Sequence, residues 1–344
     1  MSLALVALCA ALGFLAAPQV YAGEGFNNHY IGGNEDFLAG ALPPAGTSVF
    51  LNYLVDYNIG GLKDNAGRNA NLTNPALVGN HSASVSANVQ VLADALRFVQ
   101  VTKVKILNGD LIWHVIIPFG YEHNGNEFIG NGGRSQYFPG APSSVVGLAD
   151  IEAGMGIAWH CPTFHQVAAI DIVAPTGTYD GISGTTNSAR TFAVNPADLG
   201  RNYWSIDPLY AFTYLGDKSS PLPGLELSAK LMYWINTVNS ATSYVSGQEF
   251  DADYLVGYHF NKNWSFGANG YILYQTTRDT QFHRTAIDPL TGLATGLMGR
   301  EYSVGPALMY DFGRGCLTLK WQHDVYAENR PEGDKYWLKF IYPF

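Results

Sequence analysis

Apolar and polar residues alternate with a period of two over segments of roughly ten residues along most of the chain. In "TSVFLNYLVDYNI", at 47–59, Val49 and Leu51 fall on one face and Phe50 and Leu54 on the other. Successive side chains of a β-strand point to opposite faces, so this period predicts strands. The pattern recurs at 84–101, 109–122, 145–160, 163–175, 201–215, 224–238, 249–260, 263–277, 300–312, 315–327 and 335–344. The chain therefore predicts an all-β fold of twelve strands.

Tight and long connections between these segments occur at opposite strand ends. The tight ones are Cys161-Pro162, 261–263 and 313–315, and the long ones, rich in Gly, Asn, Thr and Asp, are 60–83, 123–144, 176–200 and 278–299. Transmembrane antiparallel β-barrels have short turns on the periplasmic side and long loops outside. An even strand count also returns the C-terminus to the start of the first strand. The expected architecture is a closed outer-membrane barrel over 47–344.

The last segment, "KYWLKFIYPF", has an unbroken apolar stripe that ends at Phe344. An ordinary amphipathic edge strand accounts for the stripe but not for the terminal Phe. The segment is similar to the C-terminal signature of bacterial outer-membrane proteins, which the barrel-assembly machinery reads. We therefore expect that machinery as a partner, through Phe344, and outer-membrane lipid and lipopolysaccharide as the surroundings of a monomeric barrel.

The first 22 residues have the pattern of a secretory signal peptide, with an apolar run and small residues before a cleavage site after Ala22. Beyond them no run of 18 apolar residues occurs, so the sequence predicts no membrane-spanning helix. Charged residues are only 14% of the chain, whereas soluble domains have roughly 25%. The net charge of −9 and the lack of a Lys/Arg cluster argue against a polyanion-binding surface, and nucleic acid is not an expected partner.

Two cysteines follow the leader, Cys161 and Cys316. The strand layout places them six strands apart, on opposite sides of a barrel about 20 Å wide. A disulfide needs Cα atoms within about 7 Å of each other. Both cysteines are therefore predicted to be free thiols.

Four stretches carry a resemblance to a known family: "HYIGGNEDFLAGALPPAG" at 29–46, "PTGTYD" at 175–180, "NPADLGRNYW" at 195–204 and "YWINTVNSATSYVSG" at 233–247. They resemble the outer-membrane channel family of meta-pathway of phenol degradation proteins. The family is similar to other barrels for hydrophobic compounds, in which an N-terminal segment folds into the lumen. The resemblance implies that residues 23–46 are a lumenal plug.

Residues 23–46 also favour a plug by their own composition. The segment is too interrupted by Gly and Pro for a helix, yet it is rich in apolar residues that gain from burial. Its plug residues are expected to be His29, Tyr30, Glu35, Asp36 and Phe37, with Phe26 adding apolar surface. The two acids need cationic partners, for which Arg97, Lys230 and Lys320 are the candidates. The alternative is a disordered periplasmic tail.

A mixed lumen suits passive uptake of small hydrophobic, chiefly aromatic, molecules. The residues expected to line it are Phe50, Leu54, Asp56, Arg97, Asp150, Glu152, Asp171, Lys230, Met232, Trp234, Asn236, Asn239 and Leu255. The apolar ones either contact substrate or pack on the plug. Alternative functions are a narrow pore for polar solutes and an outer-membrane hydrolase, for which His283 and Asp279, in one loop, would be the acid and base, a combination close to chance in a loop of this length. No cofactor or metal site is predicted.

Prolines inside predicted strands indicate places where the barrel wall is interrupted, because proline cannot donate a ladder hydrogen bond. Pro118, Pro175 and Pro208 are the candidates for a lateral opening, and Pro306 is a further strand proline. An apolar solute that leaves sideways enters the bilayer without crossing water. The alternative is a β-bulge that only adjusts the curvature of the wall.

Overall fold

The computed structural model describes residues 23–24, 28–130, 133, 135–137, 142–179, 182–186, 189–193 and 197–344. The predicted leader, Phe26, and parts of the two stretches at 175–180 and 195–204 lie outside the described residues.

Twelve antiparallel strands form one closed barrel, as predicted. Each strand pairs with its neighbours in sequence, and β1 closes the barrel by pairing with both β2 and β12. The fourth strand has two segments, Ser143–Leu148 and Ile151–His160. The strands are β1 Ser48–Leu62, β2 Val89–Ile106, β3 Gly109–Asn124, β4 with the two segments above, β5 Phe164–Ala174, β6 Ser205–Leu215, β7 Leu225–Asn236, β8 Glu249–His259, β9 Trp264–Gln275, β10 Arg300–Asp311, β11 Cys316–Glu328 and β12 Pro331–Pro343.

Short elements in the long connections lie above one end of the barrel. They are a helix at Pro75–Val78, a small sheet of Asn71–Leu72, Ala83–Ser86, Glu127–Ile129 and Ser135–Tyr137, a hairpin of Ile182–Thr186 and Ala189–Ala193, and a second small sheet of Tyr244–Val245, Thr280–Gln281 and Arg284–Thr285. Among the described residues, no helix has both the length and the apolar character required to cross a membrane.

Two of the tight connections are made by residues that adopt left-handed backbone conformations. Leu107 and Asn108 join β2 to β3 with φ of 49° and 63°, the geometry of a two-residue hairpin turn. Gly313, with φ of 90°, makes the turn between β10 and β11. Turn residues thus fix which strand ends lie together.

Burial alternates along the strands and separates an interior face from an outer face. In β8, Asp251, Asp253 and Leu255 are buried, whereas Val256 and Tyr258 are exposed. The outer face carries exposed apolar side chains on many strands, including Met155, Ile170, Val256 and Leu319. Such a band is typical of a barrel wall that faces lipid.

The prediction that Phe50, Leu54 and Asp56 line the lumen was wrong. In β1 the alternate residues, from Val49 to Tyr57, are the buried ones. Phe50 packs instead against the exposed Phe98 of β2, with ring centroids 5.2 Å apart. The more apolar face of β1 was assigned to lipid, but it points inward because apolar residues of the N-terminal segment, such as Ile31 and Leu42, pack against it.

Cys161 is exposed, Cys316 is buried, and both are free, which confirms the prediction of two unpaired thiols.

Candidate functional site at the N-terminal arm and the barrel wall

The N-terminal arm, residues 23–46, carries two acids that form buried ion pairs with the interior side of the wall. Glu35 contacts Arg97 of β2 at 2.7 Å and Lys339 of β12 at 2.8 Å. Asp36 contacts Lys320 of β11 at 2.8 Å and also lies 3.2 Å from Lys339. Buried charges require partners of this kind, because each loses its hydration. The arm is therefore fixed at its centre by three cations from three strands.

The structure brings two of the three predicted cations, Arg97 and Lys320, to these acids. The third, Lys230, lies 5.1 Å from the ring centroid of Tyr30. Lys339 was missed by the sequence reasoning. It occupies the inward side of β12, opposite the apolar stripe, and that position is the signal that identifies it.

Polar groups of the wall also satisfy the irregular backbone of the arm. Asp253 accepts hydrogen bonds from the N–H groups of Gly33, at 2.7 Å, and Glu35, at 2.9 Å. The N–H of Gly40 donates to Thr213 Oγ1 at 3.0 Å. A buried chain without regular secondary structure needs such partners for its peptide groups.

Close approach to the wall explains the glycines of the arm. A Cβ at Gly40 would lie 2.4 Å from the backbone of Phe212, and one at Gly33 would lie 2.4 Å from the amide of Gln322. Gly33 also has φ of 85°, which side chains other than glycine rarely adopt. Substitutions at these positions would push the arm off the wall.

Three of the apolar residues expected to line the lumen pack on the arm. Met232 and Trp234 share a buried cluster with Tyr30, and the Trp234 and Tyr30 ring centroids are 5.7 Å apart. Leu255 packs with Phe37. Among the described residues, Met232, Trp234 and Leu255 line neither of the two cavities of the barrel, one on the loop side and one on the turn side of the acidic pair.

Two cavities lie on either side of the acidic pair. The loop-side cavity, of about 180 Å³, is lined by arm residues 28–32 and 34 and by wall residues such as Tyr53, Val55 and Val173. The turn-side cavity, of about 340 Å³, is lined by Glu35 and by arm residues 37–39 and 41–43, and it reaches the turn at Gly313. The arm and its ion pairs thus lie between two spaces that open toward opposite strand ends.

A charged cluster of three wall residues lies near the acidic pair. His114 Nε2 is 2.9 Å from Asp171 Oδ1, and one ligand atom each from His114, Glu152 and Asp171 lie within 4.8 Å of one another. The residues come from β3, β4 and β5, so sequence spacing could not reveal the cluster. Lys230 and Arg97 interact electrostatically with Asp171. Because two cations already balance these acids, we interpret the cluster as a charge network rather than as a metal centre.

The wall is irregular where β3 meets β4, and this region is called the wall break. Ile116 pairs with Glu152 and Phe119 with Leu148, so 149–151 stand opposite only two residues of β3. One of these two is Pro118, whose carbonyl accepts from Ala149 N at 2.9 Å. The extra residue makes a β-bulge.

The segment Ser143–Leu148 above the break pairs as a strand with β3 alone among the described residues. On its other side β5 ends at Ala174, immediately before Pro175. The loop after β5 continues the contact through one hydrogen bond, from Thr178 N to Leu148 O at 2.7 Å. The wall is thus closed here by a loop instead of a paired strand.

Asp150 joins the wall break to the arm. Its carboxylate accepts from Gly177 N at 2.8 Å and from Arg201 N at 2.7 Å, and it lies 2.9 Å from His29 Nε2. The other ring nitrogen of His29 is 2.7 Å from Ser205 Oγ. Pro118, Ala149 and Asp150 all line the loop-side cavity, so the cavity extends to the break.

The other strand prolines lie in regularly paired wall. Pro208 faces outward opposite Ile170, and on its other side Ile206 pairs with Ile235 and Leu209 with Met232, so the register continues unchanged. Asp207 Oδ1 accepts the N–H of Tyr233 at 2.8 Å, beside the missing ladder bond. Pro306 pairs with Ala268 in the same uninterrupted way.

Two further predicted residues lie near the loop end of the arm, and one of them contacts it. Asn239 is fully buried and donates to Glu24 Oε2 at 2.6 Å. Asn236 donates to Gly247 O at 3.0 Å and accepts from Ser205 at 2.6 Å. Asn239 thus joins the arm to the loop after β7, whereas Asn236 joins β7 to β6 and to Gly247.

Comparison with solved structures shows the fold. The COG4313 outer membrane channel from Pseudomonas putida F1 is 14% identical, the match covers 88% of this chain and 97% of that chain, and the TM-score is 0.63. Two further barrels match less well. The translocator domain of the autotransporter NalP from Neisseria meningitidis is 10% identical, with 89% of this chain and 91% of that chain covered and a TM-score of 0.42. A TodX monoaromatic hydrocarbon channel mutant is 9% identical, with 88% of this chain and 91% of that chain covered and a TM-score of 0.40, and neither match supports an argument. No curated protein matches the chain.

The closed barrel and its apolar outer face place the chain in the bacterial outer membrane. The family model described as "Putative MetA-pathway of phenol degradation" matches residues 73–340, which is most of the sequence, and the chain therefore belongs to this family.

Proposed function

We propose that the protein is a channel for passive uptake of small hydrophobic molecules, chiefly aromatic ones, with residues 23–46 as a plug inside the barrel. The loop-side cavity carries the proposal, because it lies beside the wall break and has a volume of about 180 Å³. An apolar cavity of about 150 Å³ is large enough for benzene. Valine, alanine and tyrosine side chains form much of its lining, together with charged groups such as Glu152, Arg201 and Glu301.

The contacts of the arm support its role as a plug. It bonds to side chains from β1, β2, β6, β7, β8, β11 and β12. Gly23 N contacts Asp279 in the loop after β9, and Gly46 N donates to Val101 O near the opposite strand end. A segment in contact with so many strands narrows any aqueous path, which argues against the polar-pore alternative.

The proposed exit is lateral, through the wall break. The break combines Pro118, Pro175 and the bulge at Asp150, and the cavity extends to it. A hydrophobic solute that leaves there enters lipid directly. Unpaired backbone inside a membrane is tolerated where it is covered by protein or lines a cavity. Pro208 is not part of this exit, because β6 is paired on both sides of it.

Transport also fits the site better than hydrolysis does. Asp279 is buried and holds the arm, whereas His283 is exposed, so the pair is not arranged as an acid and base. We further propose a monomeric barrel whose assembly signal ends at Phe344, in a membrane of lipid and lipopolysaccharide.

Filling the loop-side cavity tests the function. Ala93→Phe puts a large side chain into its lining, and we expect uptake of a monocyclic aromatic by proteoliposomes to fall about tenfold or more. Ala168→Phe is the matched control, because Ala168 is on the outer side of β5. Equal aromatic uptake by both variants, or faster entry of small sugars than of aromatics in the native protein, would contradict the proposal.

Closing the wall break tests the lateral exit. In a Cys161→Ser background, Gly147→Cys with Thr178→Cys joins the two sides, since a Cβ at Gly147 lies 3.2 Å from Thr178 Cβ. Ile172→Cys with Ile206→Cys, a facing pair in intact wall, is the control. We expect oxidation to reduce aromatic uptake in the first variant alone, and reduction to restore it. Undiminished uptake with the cross-link formed would contradict the lateral exit and would mean that the wall break is only a β-bulge.

A further inference from the structure

Asp279 is a fully buried carboxylate that receives four hydrogen-bond donors, one of which is the beginning of the arm. Oδ1 accepts from Gly247 N and Gln275 Nε2, both at 2.6 Å. Oδ2 accepts from Tyr244 OH at 2.5 Å and from Gly23 N at 2.9 Å. These hydrogen bonds favour the ionised form of the carboxylate, burial opposes it, and a positive charge close by would favour it further.

The region around Asp279 has more acids than bases. Glu24, Asp198, Glu249 and Asp251 are also buried, and Glu249 is paired with Arg330 at 2.5 Å. Arg201 is the other cation that acts on this group of acids among the described residues. Burial raises the pKa of Asp279 to about 7 and that of Glu24 to about 7. One more positive charge beside Asp279 would bring the region closer to balance.

Gly23 is the residue that follows the predicted cleavage site. Hydrolysis of the Ala22–Gly23 peptide bond adds one water, with OH going to the Ala22 carbonyl carbon and H to the Gly23 nitrogen. At neutral pH this nitrogen takes up a further proton and becomes an ammonium group. The N–H that donates to Asp279 is thereby replaced by a group with three donors and one positive charge.

We propose that Asp279 is the binding site for the α-ammonium group of Gly23, which leader removal creates. The ion pair supplies the missing cation at the position that the Gly23 nitrogen occupies. Gly23 suits this site because it is buried and its nitrogen lies 2.9 Å from Asp279 Oδ2. Seating of the arm is therefore coupled to processing, since the uncleaved chain has no charge at this atom.

Chemical labelling of the terminal amine tests the proposal on the mature protein. An amine-reactive reagent is applied between pH 6 and 10, and the labelled N-terminal peptide is measured by mass spectrometry. The unpaired α-amino group has a pKa of about 7.7–8.0, and each unit of increase slows labelling about tenfold below the new pKa. We expect Gly23 to react at least about tenfold more slowly at pH 7 than in urea-unfolded protein, with the midpoint of the pH profile shifted upward.

Asp279→Asn should return the midpoint to or below the unfolded value, because burial alone lowers the pKa of an amine. Asp217→Asn, in the exposed turn after β6, is the control and should keep the native profile. The native profile decides the question even if Asp279→Asn does not fold. A midpoint that is not raised, or a mature terminus at another residue, would overturn the proposal.

Discussion

The arm is held in different ways at its acidic pair and at the wall break. Glu35 and Asp36 form ion pairs with three buried cations from β2, β11 and β12. At the break, His29 contacts one carboxylate, Asp150, which also holds two backbone groups of the neighbouring loops. Charged contacts concentrate where the wall is regular, and a single hydrogen-bonded contact lies where the wall is irregular.

This difference separates two tasks within one segment. Removing one partner of a buried ion pair leaves a charge unpaired and costs about 3–5 kcal/mol, whereas a hydrogen bond to a charged group contributes about 1.5–3 kcal/mol. The acidic pair therefore keeps the arm in place, while the contact at His29 can open at modest cost. Local opening beside the loop-side cavity does not require the whole arm to leave.

The largest effect is expected from removing the arm. Deletion of residues 26–42 takes away both kinds of contact, and single-channel conductance should rise severalfold because the interior fills with water. The barrel should remain folded, since its strands pair only with each other, and heat-modified electrophoretic mobility checks this. Unchanged conductance in a folded barrel would contradict the proposal that residues 23–46 are a plug.

The next effect is expected at the acidic pair. Lys339→Met removes the cation shared by Glu35 and Asp36, and we expect a loss of about 3–5 kcal/mol in the stability of the seated arm. Protease cleavage of the arm and conductance bursts measure its release. Lys105→Met is the control, because Lys105 is exposed and a surface pair contributes at most about 1 kcal/mol. Equal behaviour of the two variants would contradict the anchoring role.

A smaller effect is expected at the wall break. His29→Ala removes one contact of Asp150 but leaves its bonds to Gly177 and Arg201, so the cost should be about 1.5–3 kcal/mol. Reactivity of a cysteine placed at Ala149 should increase a few-fold, while the arm stays protected from protease. If His29→Ala releases the arm as fully as Lys339→Met does, the two regions do not differ in the way described.

The smallest effect is expected at Pro208. Because β6 keeps its register on both sides, Pro208→Ala should leave aromatic uptake unchanged and alter thermal stability by less than about 1 kcal/mol. Transport assays on proteoliposomes measure the first quantity and thermal melting in detergent the second. A clear loss of uptake would contradict an exit at the wall break and would indicate an exit at β6.

The sequence by itself determined the barrel. Period-two alternation gave all twelve strands, and the tight and long connections gave their order and their two ends. The free thiols followed from strand count, because neighbours in a barrel meander are neighbours in sequence. Glu35 and Asp36 were recognised as residues in need of cations, because acids in a buried apolar segment lose their hydration and require charged partners.

Only the tertiary structure decided which face of β1 points inward and where the wall is irregular. Alternation defines two faces but not their direction, and in β1 the buried face is the more apolar one, against which Ile31 and Leu42 of the arm pack, so Phe50 and Asp56 were misassigned. The wall break and the cluster of His114, Glu152 and Asp171 join residues of different strands. Their meeting depends on strand register, and register is set by bulges and pairing that no single segment of sequence contains.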